Sequence, residues 1–476
     1  MRIIGRKKER ALLEHCARTK KSELICVYGR RRVGKTFLVE QMFSEAFAFQ
    51  ATGVESGNTR DQLKAFHQRL RAYGDRTRAI PANWFEAFAR LENILRSENV
   101  ITSPYGKKII FLDEFPWFAT PRSDFLMAFG EFWNRYASAK GDICLIACGS
   151  ATSWIIGNMI EATGTLYDRV TCQIYIHPFT LRETEQFFQD REFGWSRKQI
   201  AQCQMIFGGL PYFFDLLNQN ESLIWNIDTL CFQKNALLQR ESSRLLEATL
   251  KKSDVYPAIL SLLAKHEYGL ERDACKKQLQ LADGTFSRAV SDLEKCGYIM
   301  QIQEMHRKNH PYRLRLIDPF LLFHFQFLSS EGTHHVQSFF TFSQSAGNYT
   351  NWRGHAFENL CLYHIPEIKR ALGISGVEVK AYPWVSERKS GGAQIDLVLE
   401  RADQLINLCE IKFTDTPFKM DATYEQSLLH KISVYQEETK TTKPIRLVLI
   451  SAEGLAGTAY TEKISGVITL NDIFDM

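Results

Sequence analysis

The segment GRRRVGKT, Gly29 to Thr36, satisfies G-x-x-x-x-G-K-[ST]. It follows the short apolar run LICVY (24–28) and precedes TFLVEQMF, whose apolar residues have helical spacing. A glycine-rich turn between a buried strand and a helix is the setting a phosphate-binding loop requires. Glycines let successive backbone N–H groups curl around phosphate oxygens, and the following helix N-terminus adds partial positive charge. The loop residues Gly29, Arg30, Arg31, Arg32, Val33 and Gly34 are therefore assigned to nucleotide. Lys35 reaches the outer phosphates, and the Thr36 hydroxyl ligates Mg²⁺.

A nucleoside-triphosphate hydrolase also needs a carboxylate at the end of a neighbouring strand. KIIFLDE (108–114) is a buried-strand pattern ending in Asp113 and Glu114. Asp113 is predicted to sit in the Mg²⁺ shell, and Glu114 to act as the base that orients the attacking water. A helix-capping role would explain one acid there but not two in succession. The amphipathic FLMAFGEFWNRYA and a third strand, DICLIACGS, follow. Apolar strands alternating with helices predict a parallel sheet covered on both faces. Ser150, at the end of the third strand, is placed either to sense the γ-phosphate or simply to turn the chain. Arg169, in GTLYDRVT, is a candidate finger for transition-state charge, with a surface ion pair as the alternative.

At 476 residues the chain needs several domains. The strand–helix alternation covers about 1–180, purely helical periodicity about 181–245. Three short helices and two strands flanking a basic loop occupy 246–330, the order of a winged helix. A polar stretch near 331–350 reads as a linker, and 345–476 is α/β again. The net charge is +5, but residues 351–476 hold 14 Lys/Arg against 17 Asp/Glu, so the basic excess lies upstream. Nucleic-acid attraction is weighted accordingly. The 11 cysteines are scattered and the start MRIIGRKKER has no apolar signal core. No run approaches a membrane span. The chain is read as cytoplasmic, with reduced thiols and no zinc site at CLYH (361–364).

The last domain contains QIDLVLERADQLINLCEIKF (394–413), in which charged residues interrupt apolar strands. If Ile395–Glu400 and Leu405–Phe413 pair antiparallel about Asp403, Asp396 stands across from Glu410. Side chains in such a pair lie roughly 5 Å apart, so two like charges repel unless a cation sits between them. Lys412 shares the face of Glu410. The expected reason for this choice is a divalent metal held by Asp396 and Glu410.

Taken together, IGRKKE, YGRRRVGKT, FLDEFPWF, CGSATSWI, LYDRVT followed by HPFTL, and GGLPYF resemble the prokaryotic STAND-like AAA+ ATPases. The resemblance is closest to the branch with a winged helix and a restriction-endonuclease-like C-terminal domain. It implies ATP and Mg²⁺ as cofactors, with Gly5 and Arg6 near the adenine and Pro211 packing near the nucleotide from a helical lid. Asp396, Glu410 and Lys412 resemble the PD-(D/E)XK nuclease core. There two acids hold Mg²⁺, and the lysine steadies the attacking water or the phosphate; Glu358 matches the additional acidic position.

The resulting expectation is an α/β, ATP-driven switch with a helical lid, a winged helix and a tethered nuclease-like effector, acting against foreign nucleic acid. DNA or RNA and an ATP-dependent homo-oligomer are its expected partners, with no membrane. DNA contact in the last domain would fall to Lys380, Arg388, Lys389 and Lys431. In the winged helix it would fall to the basic loop 306–315 more than to TFSRAVSDLEKC, where Arg288 and Lys295 are balanced by Asp292 and Glu294. The alternative is a non-cleaving ATP-dependent scaffold or DNA-binding regulator, whose last two domains serve only for contacts.

Overall fold

The structure, a computed structural model, describes residues 2–239, 241–242, 245–246, 250, 253–303, 312–329, 338–344, 346–388 and 390–475. Two compact units emerge. One is built on Met1–Pro178 with Leu210–Tyr212, the other on Phe179–Gly209, Phe213–Ser243 and Ser253–Met476.

The first unit is organised by five parallel strands: β1 (Glu23–Tyr28), β2 (Phe47–Thr52), β3 (Lys108–Asp113), β4 (Ile143–Gly149) and β5 (Cys172–Tyr175). Their order is β2-β3-β4-β1-β5. Strands β1, β3 and β4 are almost wholly apolar and almost wholly buried, as a sheet covered on both faces requires. One cover is an aromatic layer in which Phe66, Trp84, Phe88, Phe115 and Phe125 pack on one another. Because the strands are parallel, the residues following β1, β3 and β4 all emerge at one sheet edge. That edge collects the phosphate loop, the Asp113–Glu114 pair and Ser150. The outer strands β2 and β5 are less apolar, and their polar residues Gln50 and Gln173 hide them from a hydrophobicity reading.

In the second unit, helices Leu181–Asp190 and Arg197–Phe207 start at complete capping boxes, Thr180 with Glu183 and Ser196 with Gln199. Three helices follow: Val255–Ala264, Arg272–Gln278 and Asp283–Lys295. They accompany a three-stranded antiparallel sheet of β6 (Leu270–Glu271), β7 (Ile299–Gln303) and β8 (Tyr312–Leu316), ordered β6-β8-β7. The two-residue β6 has no periodicity to announce it. Of the basic loop 306–315, residues 306–311 lie outside the described residues, as does Lys389. Contrary to expectation, the described arginines are engaged within the chain, Arg313 half-buried and Arg315 buried. Arg313 donates to the carbonyl of Gly269 at 3.0 Å, and Arg315 is fully buried.

The linker reading of 331–350 needs correction over its described part. Phe339–Ser343 and Ala346–Tyr363 are helical, because Phe339 and Phe342 join Phe327, Tyr349 and Trp352 in an aromatic cluster. Beyond them lies a mixed sheet of β9 (Val379–Val385), β10 (Gln394–Arg401), β11 (Ile406–Lys412), β12 (Ile445–Ser451) and β13 (Ile464–Thr469), ordered β13-β12-β11-β10-β9. Strand β10 is antiparallel to β9 and β11, while β12 and β13 run parallel to β11. Lys198, on the helix Arg197–Phe207, donates to the carbonyl of Thr414 at 2.8 Å and pairs with Asp415 at 2.9 Å. That helix is thereby tied to the segment leaving β11. No helix among the described residues is long and apolar enough to cross a membrane.

Candidate functional site

The phosphate loop runs from β1 into the helix Lys35–Phe43. Gly29 has φ 146°, and a Cβ on it would meet the carbonyl oxygen of Ile176 at 2.5 Å, so the turn admits only glycine. Lys35 is buried, and its Nζ donates to the carbonyls of Gly29 at 3.0 Å and Arg30 at 2.8 Å. Burial lowers its pKa, while nearby Cys148, Glu114 and Asp113 oppose that shift. The ammonium thus stands inside the loop where phosphate oxygens would gather. Arg6, also buried, pins the loop from behind. Its Nη1 donates to His177 O at 2.6 Å and its Nη2 to Val33 O at 3.2 Å, and both Gly5 and Arg6 take left-handed φ. Arg31 reaches Glu55 at 3.7 Å. Arg32 lies over the Tyr212 ring, 3.7 Å from its centroid, so the segment Leu210–Tyr212 that contains Pro211 meets the loop directly.

Thr36 Oγ1 donates to Asp113 Oδ2 at 2.9 Å. Burial and the adjacent Glu114 push the Asp113 carboxyl up, and bonds from Thr36 and the Glu114 amide draw it partly back. A hydroxyl beside a carboxylate is the oxygen donor pair that Mg²⁺ takes in phosphate sites, so these residues fit the ion. Glu114 adopts φ 45°, a left-handed conformation uncommon for glutamate, and starts the short helix Phe115–Phe118. The turn sends its carboxylate sideways toward β4, where Ser150 Oγ donates to Oε2 at 3.1 Å. Ser150 therefore holds Glu114 as well as ending the strand. Arg169 is exposed and has no ion pair among the described residues.

Residues 4–217 match a family described as an ATPase domain predominantly from Archaea. That segment is an archaeal-type ATPase domain. Over the longer chain, an uncharacterised protein of Methanocaldococcus jannaschii is 21% identical across 417 residues, 87% of this chain and 88% of the relative. Among solved structures, the Walker-type ATPase PABY2304 of Pyrococcus abyssi superposes with a TM-score of 0.50 at 15% identity. The match covers 68% of this chain and 96% of that one, and at this identity it speaks for the fold alone.

Downstream of the ATPase domain, β10 and β11 pair with Leu397 opposite Cys409 and Glu400 opposite Ile406. This is the register counted from Asp403; continued one step past its last pair, it would set Asp396 across from Glu410. Asp396 Oδ2 accepts the Ile411 N–H at 2.8 Å. Burial, then Glu410 and Glu358, push the Asp396 carboxyl up to about 7. Burial alone would raise Glu410 too, but Lys412 and Lys431 outweigh it and hold this carboxyl below its ordinary value. Lys412 Nζ lies 2.7 Å from Glu410 Oε1 and Lys431 Nζ 2.6 Å from Oε2, while the Tyr424 hydroxyl donates to Oε1.

The third acid, Glu358, faces Arg315 Nη2 at 3.6 Å and His355 Nδ1 at 3.5 Å. All four expected residues, Glu358, Asp396, Glu410 and Lys412, thus belong to one neighbourhood. Contrary to expectation, the chain's own cations answer the acids. Among the described residues no three potential ligands converge as a metal requires, so the hairpin in this arrangement does not fit a divalent ion.

Two of the basic residues proposed for DNA are also occupied, Lys431 by Glu410 and Arg388 by Glu437 and Glu438, whereas Lys380 is exposed. Tyr424 and Lys431 are seven apart on the helix Ala422–Thr439, two turns on one face. That spacing was the one signal for them. Arg315 and His355 had none, since their partners come from separate elements.

Proposed function

We propose that the protein is an ATP-hydrolysing switch. In this reading, nucleotide state in the N-terminal domain sets the state of a C-terminal restriction-endonuclease-like module through a helical lid and a winged helix. The observation that carries the reading is the sequence of contacts from Thr36 to Asp113 and from Glu114 to Ser150 at one sheet edge. Lys35 and the loop amides bind the phosphates, and Thr36 and Asp113 would hold Mg²⁺, which would supply neutralising charge to the phosphates. Glu114 accepts a proton from water, and Ser150 fixes which way its carboxylate points. Arg169, unpaired among the described residues, is assigned to the ATP site of a neighbouring copy.

The chain itself supplies a route out of the site. Tyr212 stacks on Arg32 of the loop, and the residues on either side of Leu210–Tyr212 belong to the second unit. There the helix Arg197–Phe207 is bound through Lys198 to the segment following β11, the strand of Glu410 and Lys412. A two-state rearrangement at the phosphates thereby has a covalent and hydrogen-bonded path to the hairpin. Cleavage of labelled DNA and RNA by wild type, Glu114→Gln and Asp396→Ala, with ATP, ADP or no nucleotide, tests this reading. Nucleotide-dependent cleavage lost in Asp396→Ala supports it; equal cleavage in all nucleotide states refutes the gating.

A second reading is favoured by one observation, the internal pairing of Glu410 with Lys412 and Lys431. It makes the protein a non-cleaving ATP-dependent scaffold or DNA-binding regulator. Nucleic acid bound but uncleaved under every condition decides for it.

A further inference from the structure

Arg315 projects from β8, in the three-helix module, yet its charged neighbours lie in the C-terminal α/β module. They are Glu358, within 3.6 Å, and Asp396 beyond it. Its side chain is about as buried as any in the chain, 1% exposed. Its Nε and Nη1 have no hydrogen-bond partner among the described residues. A guanidinium buried with unsatisfied N–H groups costs free energy, so packing alone does not account for its choice. What it does have is charge opposite two buried acids. The same module sends Glu267 to His355 Nε2 at 2.8 Å, and the other nitrogen of His355 faces Glu358. Beside it, Tyr268 stacks edge-on against His355, 5.7 Å between ring centroids. Three residues of the module, Glu267, Tyr268 and Arg315 on β8, thus gather around Glu358 and His355 beside the hairpin.

The cluster is balanced without any added ion. Asp396, Glu358, Glu410 and Glu267 meet Arg315, Lys412, Lys431 and His355. Lys412, Lys431 and His355 belong to the α/β module itself. Arg315 is the cation that can leave with its module. We infer that Arg315 is a built-in counter-ion that keeps divalent metal away from the acids Asp396, Glu410 and Glu358, which form no metal site while it is in place, and that withdrawing the β6–β8 sheet lets them take Mg²⁺ or Mn²⁺. The inference rests on the nuclease-like reading of that site. The unsatisfied Nε and Nη1 make the closed arrangement easy to leave, because water satisfies both donors once the arginine is withdrawn.

Calorimetric titration of nucleotide-free full-length protein with MnCl₂ tests this. Wild type should bind weakly at the hairpin, and Arg315→Gln, which keeps a donor for Glu358 but not the charge, at least tenfold more tightly. Arg315→Lys, which keeps the charge, should stay near wild type. Adding Asp396→Asn to Arg315→Gln should abolish the gain. Equal, Asp396-dependent affinity in wild type and Arg315→Gln overturns the counter-ion role while leaving the metal site standing. No Asp396-dependent binding in either overturns the nuclease-like reading and this inference with it. Should Arg315→Gln not fold, wild type still decides. Saturating Mn²⁺ should then speed amide hydrogen exchange across Leu270–Glu271 and Tyr312–Leu316 several-fold. Unchanged exchange with Mn²⁺ bound at the hairpin overturns the inference.

Discussion

Replacing Gly53 by alanine puts a Cβ 2.6 Å from the carbonyl oxygen of Glu114 and 2.8 Å from the Cβ of Trp117. Both obstacles are backbone or rigid side-chain root, so neither moves aside alone. Gly53 donates its N–H to Asp113 O at 2.9 Å, which fixes it against the end of β3. Its φ is not left-handed, so alanine adds no backbone strain and the effect is purely steric. Ordinary contact begins near 3.4 Å, so the turn carrying Glu114 must retreat by about 0.8 Å. A displacement near 1 Å costs on the order of 10² in rate when the displaced group positions the nucleophile. The phosphate loop is not pushed. Gly53→Ala should therefore retain ATP affinity within about threefold while single-turnover hydrolysis falls about 10- to 100-fold. Equilibrium nucleotide binding, single-turnover kinetics and a melting curve on one preparation separate these effects. Wild-type turnover in a folded variant refutes the assignment of Glu114; parallel loss of binding and turnover refutes the separation of roles.

Two further perturbations probe other parts of the account. Mixing Arg169→Ala with Lys35→Ala should restore partial ATPase activity, since one protein supplies an intact loop and the other an intact finger; no rescue in co-assembled protein counts against a shared site. His355 concerns pH. Its bonds to Glu267 and Glu358, then their charge, push its pKa from 6.5 up to about 10. A raised folded-state pKa gives stability fully present below pH 6.5 and lost as pH rises through 10. The unfolding free-energy difference between wild type and His355→Gln should shrink across that window, and a pH-independent difference would show that the imidazole is not held protonated.

What was legible in the sequence follows from distance along the chain. The phosphate loop, the Asp113–Glu114 pair and the central strands are contiguous, and burial on both faces turns a strand into an unbroken apolar run. The β10–β11 register from Leu397 to Glu400 was legible because a hairpin needs only one turn position to fix every rung. The answer to those acids was not. Arg315 and Glu267 arrive from an upstream module, and no local pattern links them to a hairpin beyond residue 394. Nor could polarity show that 338–350 folds, because Phe339 and Phe342 earn their helix only by meeting Phe327 and Trp352. The Ser150–Glu114 bond lies between these cases: the strand ends were readable, the left-handed turn at Glu114 was not.

The central claim is that Glu114 performs the chemistry on a nucleotide held by the loop, and Glu114→Gln tests it most directly. Glutamine keeps the size and the bond to Ser150 but cannot accept a proton. The account predicts ATP affinity equal to wild type within about twofold and turnover lower by about 10²- to 10⁴-fold. Wild-type turnover in that variant, or no ATP binding by the wild-type protein, would contradict it.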